Sequence, residues 1–268
     1  MAWQGKLLGG VLGFFGGGPI GALLGAAVGH QFDAHAERRQ AASQIPMGNP
    51  FEVQQAFFQT TFEVMGHLAK ADGRVSPEEI RAARAVMQEM RLNERDVERA
   101  IGFFTDGKRP DYALESRLSG LRRLAGGRAD LMRTFVLIQL KAALSGGGLY
   151  AAARAVMQRI CATLGVSAFE YIQLEAILRM QRAAGATEAG AAARASGQRI
   201  VQAYQVLGIE RTASDAEVRQ AYRRLMSQNH PDKLVAKGLP ESMMRVAQER
   251  TAQIRAAYET IRDSRGLR

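Results

Sequence analysis

From Phe51 to about Arg182 apolar residues return at three- and four-residue intervals, with no run of strict alternation, so the pattern predicts helices and no strands. The sharpest stripe lies nearer the C-terminus: Val218, Ala221, Tyr222, Leu225 and Met226 fall on one helical face, and Arg219 and Arg223 share the opposite one. Ser214-Asp215-Ala216-Glu217 ahead of it has the form of a capping box, so a helix is expected to begin there. Pro231 is expected to end it, because proline lacks an N–H and biases Asn229 and His230 away from helical dihedrals. Beyond a loop with Gly238 and Pro240, the positions Ala247, Thr251, Ile254, Tyr258 and Ile261 predict a second long helix. The two should pack antiparallel and leave the loop, His230-Pro231-Asp232-Lys233, exposed at one end.

The opposite end of the chain has a different texture. From Leu7 to Gly29 there are 23 residues without a charge. At ~1.5 Å per residue that suffices to cross a hydrocarbon core of ~30 Å. Within it Gly5, Gly9, Gly13, Gly17, Gly21, Gly25 and Gly29 recur at every fourth position. Overlapping small-xxx-small spacing lets helix backbones approach closely, which predicts a homodimer packed through Gly9, Gly13, Gly17, Gly21 and Gly25. A repeat of four outruns the helical turn, so the stripe winds and a right-handed crossing is expected. Ala34-His35-Ala36 has the form of a signal-peptide cleavage site, but the uncharged run is longer than the usual apolar region of such a peptide. Lys6 before the run, against Arg38 and Arg39 after it, favours a cytoplasmic C-terminal side.

Residues 33–50, with Pro46, Gly48, Asn49 and Pro50, read as a juxtamembrane linker. The helical stretch that follows contains an internal repeat: Ala83-Arg84-Ala85-Val86-Met87-Gln88 returns as Ala153-Arg154-Ala155-Val156-Met157-Gln158. Each copy follows a glycine-bearing turn and precedes a short turn into another helix. The first has its own start signals in Ser76, Pro77 and Glu79. The single cysteine, Cys161, excludes a disulfide framework and reads as a small core residue. From Gly185 to Gln198 the chain is rich in Ala and Gly, either a flexible tether or an extension of a helix.

The His-Pro-Asp segment, with Tyr204-Gln205-Val206-Leu207-Gly208-Ile209 upstream, Ala221-Tyr222-Arg223-Arg224-Leu225 before it and Ala257-Tyr258 after it, resembles a J domain. That resemblance implies docking on an Hsp70 chaperone and stimulation of its ATPase. Asp232 would accept hydrogen bonds from a cationic group of the chaperone and His230 and Pro231 would shape the turn. Arg219, Arg223, Arg224 and Lys233 would steer the encounter. Arg255 departs from the asparagine common at that place. The middle region resembles the TerB-like tellurite-resistance helical domain, whose paired Ala-Asp-Gly turns and downstream acids could share a divalent ion. Here the first copy keeps Ala71-Asp72-Gly73 with Glu78 and Glu79, while Gly146 and Ala153 stand where the second would carry Asp and Glu. Half a site offers too few oxygens for a hard cation, so no metal and no other cofactor is expected.

Together these parts resemble the membrane-anchored DnaJ-like co-chaperones of Gram-negative bacteria, the DjlA type. The resemblance implies an all-α chain with a glycine-zipper anchor over 1–32, a linker over 33–50 and a TerB-like bundle over 51–183. A second linker over 184–198 would lead to a J-domain hairpin over 199–268. It further implies a single-pass protein of the inner membrane with a short periplasmic N-terminus. The partner would be DnaK, the bacterial Hsp70, and the chain itself would not be an enzyme. The lone cysteine also excludes the zinc repeats of full-length DnaJ, and there is no Gly/Phe-rich segment, so choice of unfolded or membrane-associated clients would fall to the TerB-like part or to location. Two readings of other classes stand beside this one: a TerB-type metal or stress sensor, and a basic nucleic-acid or lipid-binding scaffold. The net charge of +10 invites the second. Its charges are spread, with 13 Lys/Arg against 8 Asp/Glu over 199–268 and no interleaved aromatics, so no nucleic acid is expected as partner.

Overall fold

The computed structural model describes residues 48–146, 148–185 and 192–266. The glycine-spaced anchor and its expected dimer stripe lie outside the described residues. Residues Gly48–Arg268 form one compact unit. Among the described residues there is no strand, and no helix is long and apolar enough to cross a membrane.

Helices α1 (Pro50–Ala69), α2 (Pro77–Glu89), α3 (Glu94–Gly107), α4 (Leu114–Leu124), α5 (Ala129–Ser145), α6 (Ala151–Leu164) and α7 (Ala168–Gly185) build a bundle. Its starts are written locally: Asn49 with Glu52 and Ser76 with Glu79 both close capping boxes, each with proline in the first turn. The centre is made by α1 and α5. Phe57, Phe62, Phe135 and Ile138 on these helices are at most 1% exposed, and Phe57 meets Phe135 edge-on at 5.5 Å. Burial of each such side chain contributes about 1.5–3 kcal/mol. One buried polar bond crosses that core, from Gln139 Nε2 to the Thr61 carbonyl at 2.9 Å.

The approach of α3 to α1 depends on missing side chains. A Cβ added to Gly107 would lie 1.7 Å from the Glu63 carbonyl oxygen, and one on Gly66 would lie 2.0 Å from that of Phe104. Two backbones therefore touch at this crossing. Glu63, 1% exposed, is held there by Tyr112 Oη at 3.2 Å and Arg117 at 3.3 Å.

Helices α8 (Ala192–Leu207), α9 (Asp215–Gln228), α10 (Pro231–Ala236) and α11 (Met244–Arg265) complete the unit, with a 3-10 turn at Glu241–Met243. Both ends of the Ala/Gly-rich stretch are therefore taken up into helices, α7 to Gly185 and α8 from Ala192. The hairpin of α9 and α11 is closed by Tyr222 stacked on Tyr258 at 4.3 Å. These helices do not stand apart from the bundle. α8 packs on α7 and α11 on α7 and α5, and the buried apolar residues from Val53 to Ile261 form one continuous core. Ionic contacts reinforce this junction: Lys141 of α5 bridges Glu89 of α2 and Glu249 of α11, and Gln181 donates to the same Glu249 carboxylate at 3.1 Å.

Candidate functional site at the His-Pro-Asp turn

Helix α9 begins as expected. Ser214 accepts from the Glu217 amide at 3.4 Å while Glu217 Oε2 accepts from the Ser214 amide at 2.7 Å. Val218, Ala221 and Leu225 form its buried stripe, and Arg219, Arg223 and Arg224 are exposed. Asn229 caps its end from a buried position, its Nδ2 donating to the Leu225 carbonyl at 2.7 Å.

One sequence expectation is corrected here. The segment from His230 onward is not a loop. Pro231 opens α10 as its first residue, with His230 at the N-cap in an extended conformation. The reason is the one that ended α9: proline's fixed φ and missing N–H suit the first position of a helix. Asp232 thus stands in the first turn of a new helix, its side chain 84% exposed. His230 Nδ1 lies 3.9 Å from Asp232 Oδ2. Lys233 turns back and donates to Ser227 Oγ of α9 at 2.9 Å, and Leu234 is fully buried. The turn is therefore pinned on both sides while its charged tip projects into solvent at the C-terminal end of α9, the helix that carries the three exposed arginines.

Sequence reading missed the residue that closes this module. Arg265 in the last turn of α11 donates to Tyr204 Oη at 2.7 Å, to Asp215 Oδ1 at 2.8 Å and to the Arg211 carbonyl at 3.0 Å. It ties three helices together through one guanidinium fork, whose planar array of donors suits such a junction. No local signal marks it, since an arginine near a helix C-terminus is common for electrostatic reasons alone.

Around the turns of the internal repeat the carboxylates are engaged locally. Asp72 Oδ1 accepts from the Arg74 amide at 3.1 Å, Glu78 pairs with Arg81 at 2.5 Å, and Glu79 closes the capping box. Among the described residues no group of three or more His, Cys, Asp or Glu is placed to hold a metal ion. The two turns do meet: a Cβ on Gly146 would fall 2.9 Å from Glu79 Cγ, so an aspartate at that place would collide with the first copy's glutamate. Cys161 is buried on the wall of a cleft of about 640 Å³ between α6 and α7. Burial, and then Glu170, push its thiol up to about 11, which keeps it protonated and unreactive.

A short basic helix, an exposed His-Pro-Asp turn and a following long helix closed back on the first define a J-domain protein, here fused to a TerB-like bundle. Residues 202–266 match the DnaJ domain family model, residues 59–176 that of tellurite resistance protein TerB, and residues 1–44 the co-chaperone DjlA transmembrane domain. The chain is 43% identical over 270 residues to a co-chaperone protein DjlA of Coxiella burnetii, covering 100% of both chains. It is 42% identical over 270 residues to one of Shewanella oneidensis, again with 100% of both covered. To one of Vibrio cholerae it is 41% identical over 283 residues, with 98% of this chain and 99% of the other covered. No solved structure matches. The chain belongs to the DjlA family of membrane-anchored co-chaperones, and its J domain implies an Hsp70 partner.

Proposed function

We propose that the His-Pro-Asp turn and the basic face of α9 bind DnaK and accelerate its ATP hydrolysis, recruiting it to clients at the inner membrane. The observation that carries this is the placement of Asp232. It is an exposed carboxylate at the start of a helix pinned by Lys233 and Leu234, directly following the helix that exposes Arg219, Arg223 and Arg224. Asp232 would accept charge-assisted hydrogen bonds from a cationic group of DnaK, with His230 and Pro231 shaping the turn. Arg219, Arg223, Arg224 and Lys233 would supply salt-sensitive steering toward an acidic surface. In this reading the chain regulates another protein's ATPase and performs no chemistry itself.

Residues 1–32 would hold the protein in the inner membrane with a short periplasmic N-terminus, pairing through Gly9, Gly13, Gly17, Gly21 and Gly25, and residues 33–50 would lead to the cytoplasmic part. The TerB-like region over 51–183 and the J domain over 199–268, joined through 184–198, would then face the cytoplasm, where DnaK and ATP are present. Single-turnover hydrolysis of ATP by DnaK tests the proposal. The full chain should stimulate it and Asp232→Asn should not, with circular dichroism unchanged. Equal stimulation by both would refute the assigned role of Asp232.

A further inference from the structure

The segment after the His-Pro-Asp turn is held by the bundle. Lys237, the residue that ends α10, donates through Nζ to Asp130 Oδ2, and its carbonyl accepts from Arg128 Nη1. Both partners belong to the start of α5, where Arg128 is the N-cap and Asp130 lies in the first turn. The Asp130 side chain is only 9% exposed and its other oxygen already accepts from the Leu131 amide at 3.0 Å, so this carboxylate is fixed in place. The next residue, Gly238, has φ of +103° and runs against α1: a Cβ there would lie 2.6 Å from Val53 Cγ1 and 3.5 Å from the Pro50 carbonyl oxygen. Leu234 and Leu239 on either side are fully buried.

A helix of six residues does not hold itself together in water, because its few hydrogen bonds do not offset nucleation. Within the J domain it is supported by Lys233 bound to Ser227 and by packing on α11. Every other polar tie named above comes from α5, and the close passage at Gly238 is with α1. We infer that Asp130, Arg128 and Val53 are positioning residues for the His-Pro-Asp turn, so that the TerB-like bundle, and not the J domain alone, sets the pose of Asp232. The inference rests on the reading that this turn engages DnaK. It gives the bundle a part in the co-chaperone cycle besides any binding of clients, since whatever disturbs the start of α5 is passed through one short helix to the turn.

The test is a double-mutant cycle in the full-length chain in lipid nanodiscs, read by single-turnover ATP hydrolysis with DnaK and by amide hydrogen exchange over residues 231–240. Asp130→Asn, which can still accept from the Leu131 amide, and Lys237→Met should each lower maximal stimulation about threefold or more, a size typical of residues that couple two sites. Exchange over 231–240 should rise in both. The concentration of half-maximal effect, set by Arg219, Arg223 and Arg224, should move little, which separates mispositioning from general loss of fold. Asp130→Asn combined with Lys237→Met should lose no more than the weaker of the two single variants, because both act through one contact. Single variants as active as wild type, or losses that multiply in the double variant, would overturn the inference. The second result would mean that Lys237 itself touches DnaK. Should the wild-type chain fail to stimulate DnaK, the functional reading fails, and exchange over 231–240 in the same variants still decides whether the bundle holds the turn.

Discussion

Arg250 of α11 is 2% exposed, and its Nε and Nη1 have no hydrogen-bond partner. The two carboxylates that act on it are committed elsewhere, Glu170 to Arg133 at 2.7 Å and Asp130 to Lys237. Burial, and then the nearby Arg133, push its guanidinium down to about 9, so at neutral pH it is still charged inside the protein. With each factor of ten in proton affinity worth about 1.4 kcal/mol, the charged form is disfavoured by several kcal/mol relative to water. Replacing a whole buried ion pair by apolar side chains is neutral to stabilising by about 1–4 kcal/mol, and here the charge has no dedicated partner to leave behind. Arg250→Met should therefore raise the stability of the Gly48–Arg268 unit by about 2 kcal/mol, read as a higher urea midpoint at unchanged slope and a melting point several degrees higher. Arg250→Gln should gain less, because it removes the charge and leaves polar atoms without partners. A loss of more than about 1 kcal/mol in Arg250→Met would refute the reasoning, since it would mean that Glu170 and Asp130 compensate the charge fully.

Three further outcomes are expected. Gly107→Ala should destabilise the unit by about 3 kcal/mol or more, because the methyl group would meet the Glu63 backbone 1.7 Å away, and a chemical denaturation curve like that of wild type would refute the crossing described. His67 packs beside Tyr112 with ring centroids 5.3 Å apart, and burial lowers its pKa below 6.5. Below the unfolded value the unfolded chain then binds more protons than the folded one, so stability should fall as pH drops from 7 through 6, and His67→Gln should flatten that slope in urea titrations at each pH. Gly17→Leu or Gly21→Leu should weaken self-association of the first ~32 residues in a membrane by about 1 kcal/mol, whereas Leu24→Ile should not; equal signals from a reporter of transmembrane association would dismiss the glycine stripe as an interface.

Local order was legible in the sequence where one short stretch contains both partners. Ser76 with Glu79 and Ser214 with Glu217 announced their helices, and the Val218–Ala221–Leu225 stripe announced its buried face. The His-Pro-Asp segment was legible as chemistry but not as geometry: Pro231 fits a helix start as well as a helix stop, and the choice is made by Leu234 and Leu239 finding a core supplied by distant residues. The junction between bundle and J domain was not legible at all. Its contacts join residues more than a hundred positions apart, such as Asp130 with Lys237 and Lys141 with Glu249, and each of these lysines or acids alone reads as an ordinary surface charge. Arg250 misleads in the same way, since an arginine on a helix is expected in water and only the docked arrangement buries it.

The three bonds of Arg265 have a bearing on how the protein is made. Domains tend to fold in the order in which they leave the ribosome. Every residue of the bundle from Asn49 to Gly185 is translated before the J module, whereas α8 and the start of α9 wait for the final turn of α11 to supply the guanidinium that ties them together. Val53, Arg128 and Asp130, which hold the end of α10, are thus synthesised well before the last helix. A stall in translation within α11 would leave the module around the His-Pro-Asp turn unclosed, so an Hsp70 partner would meet this co-chaperone in working form only once synthesis has run past residue 265.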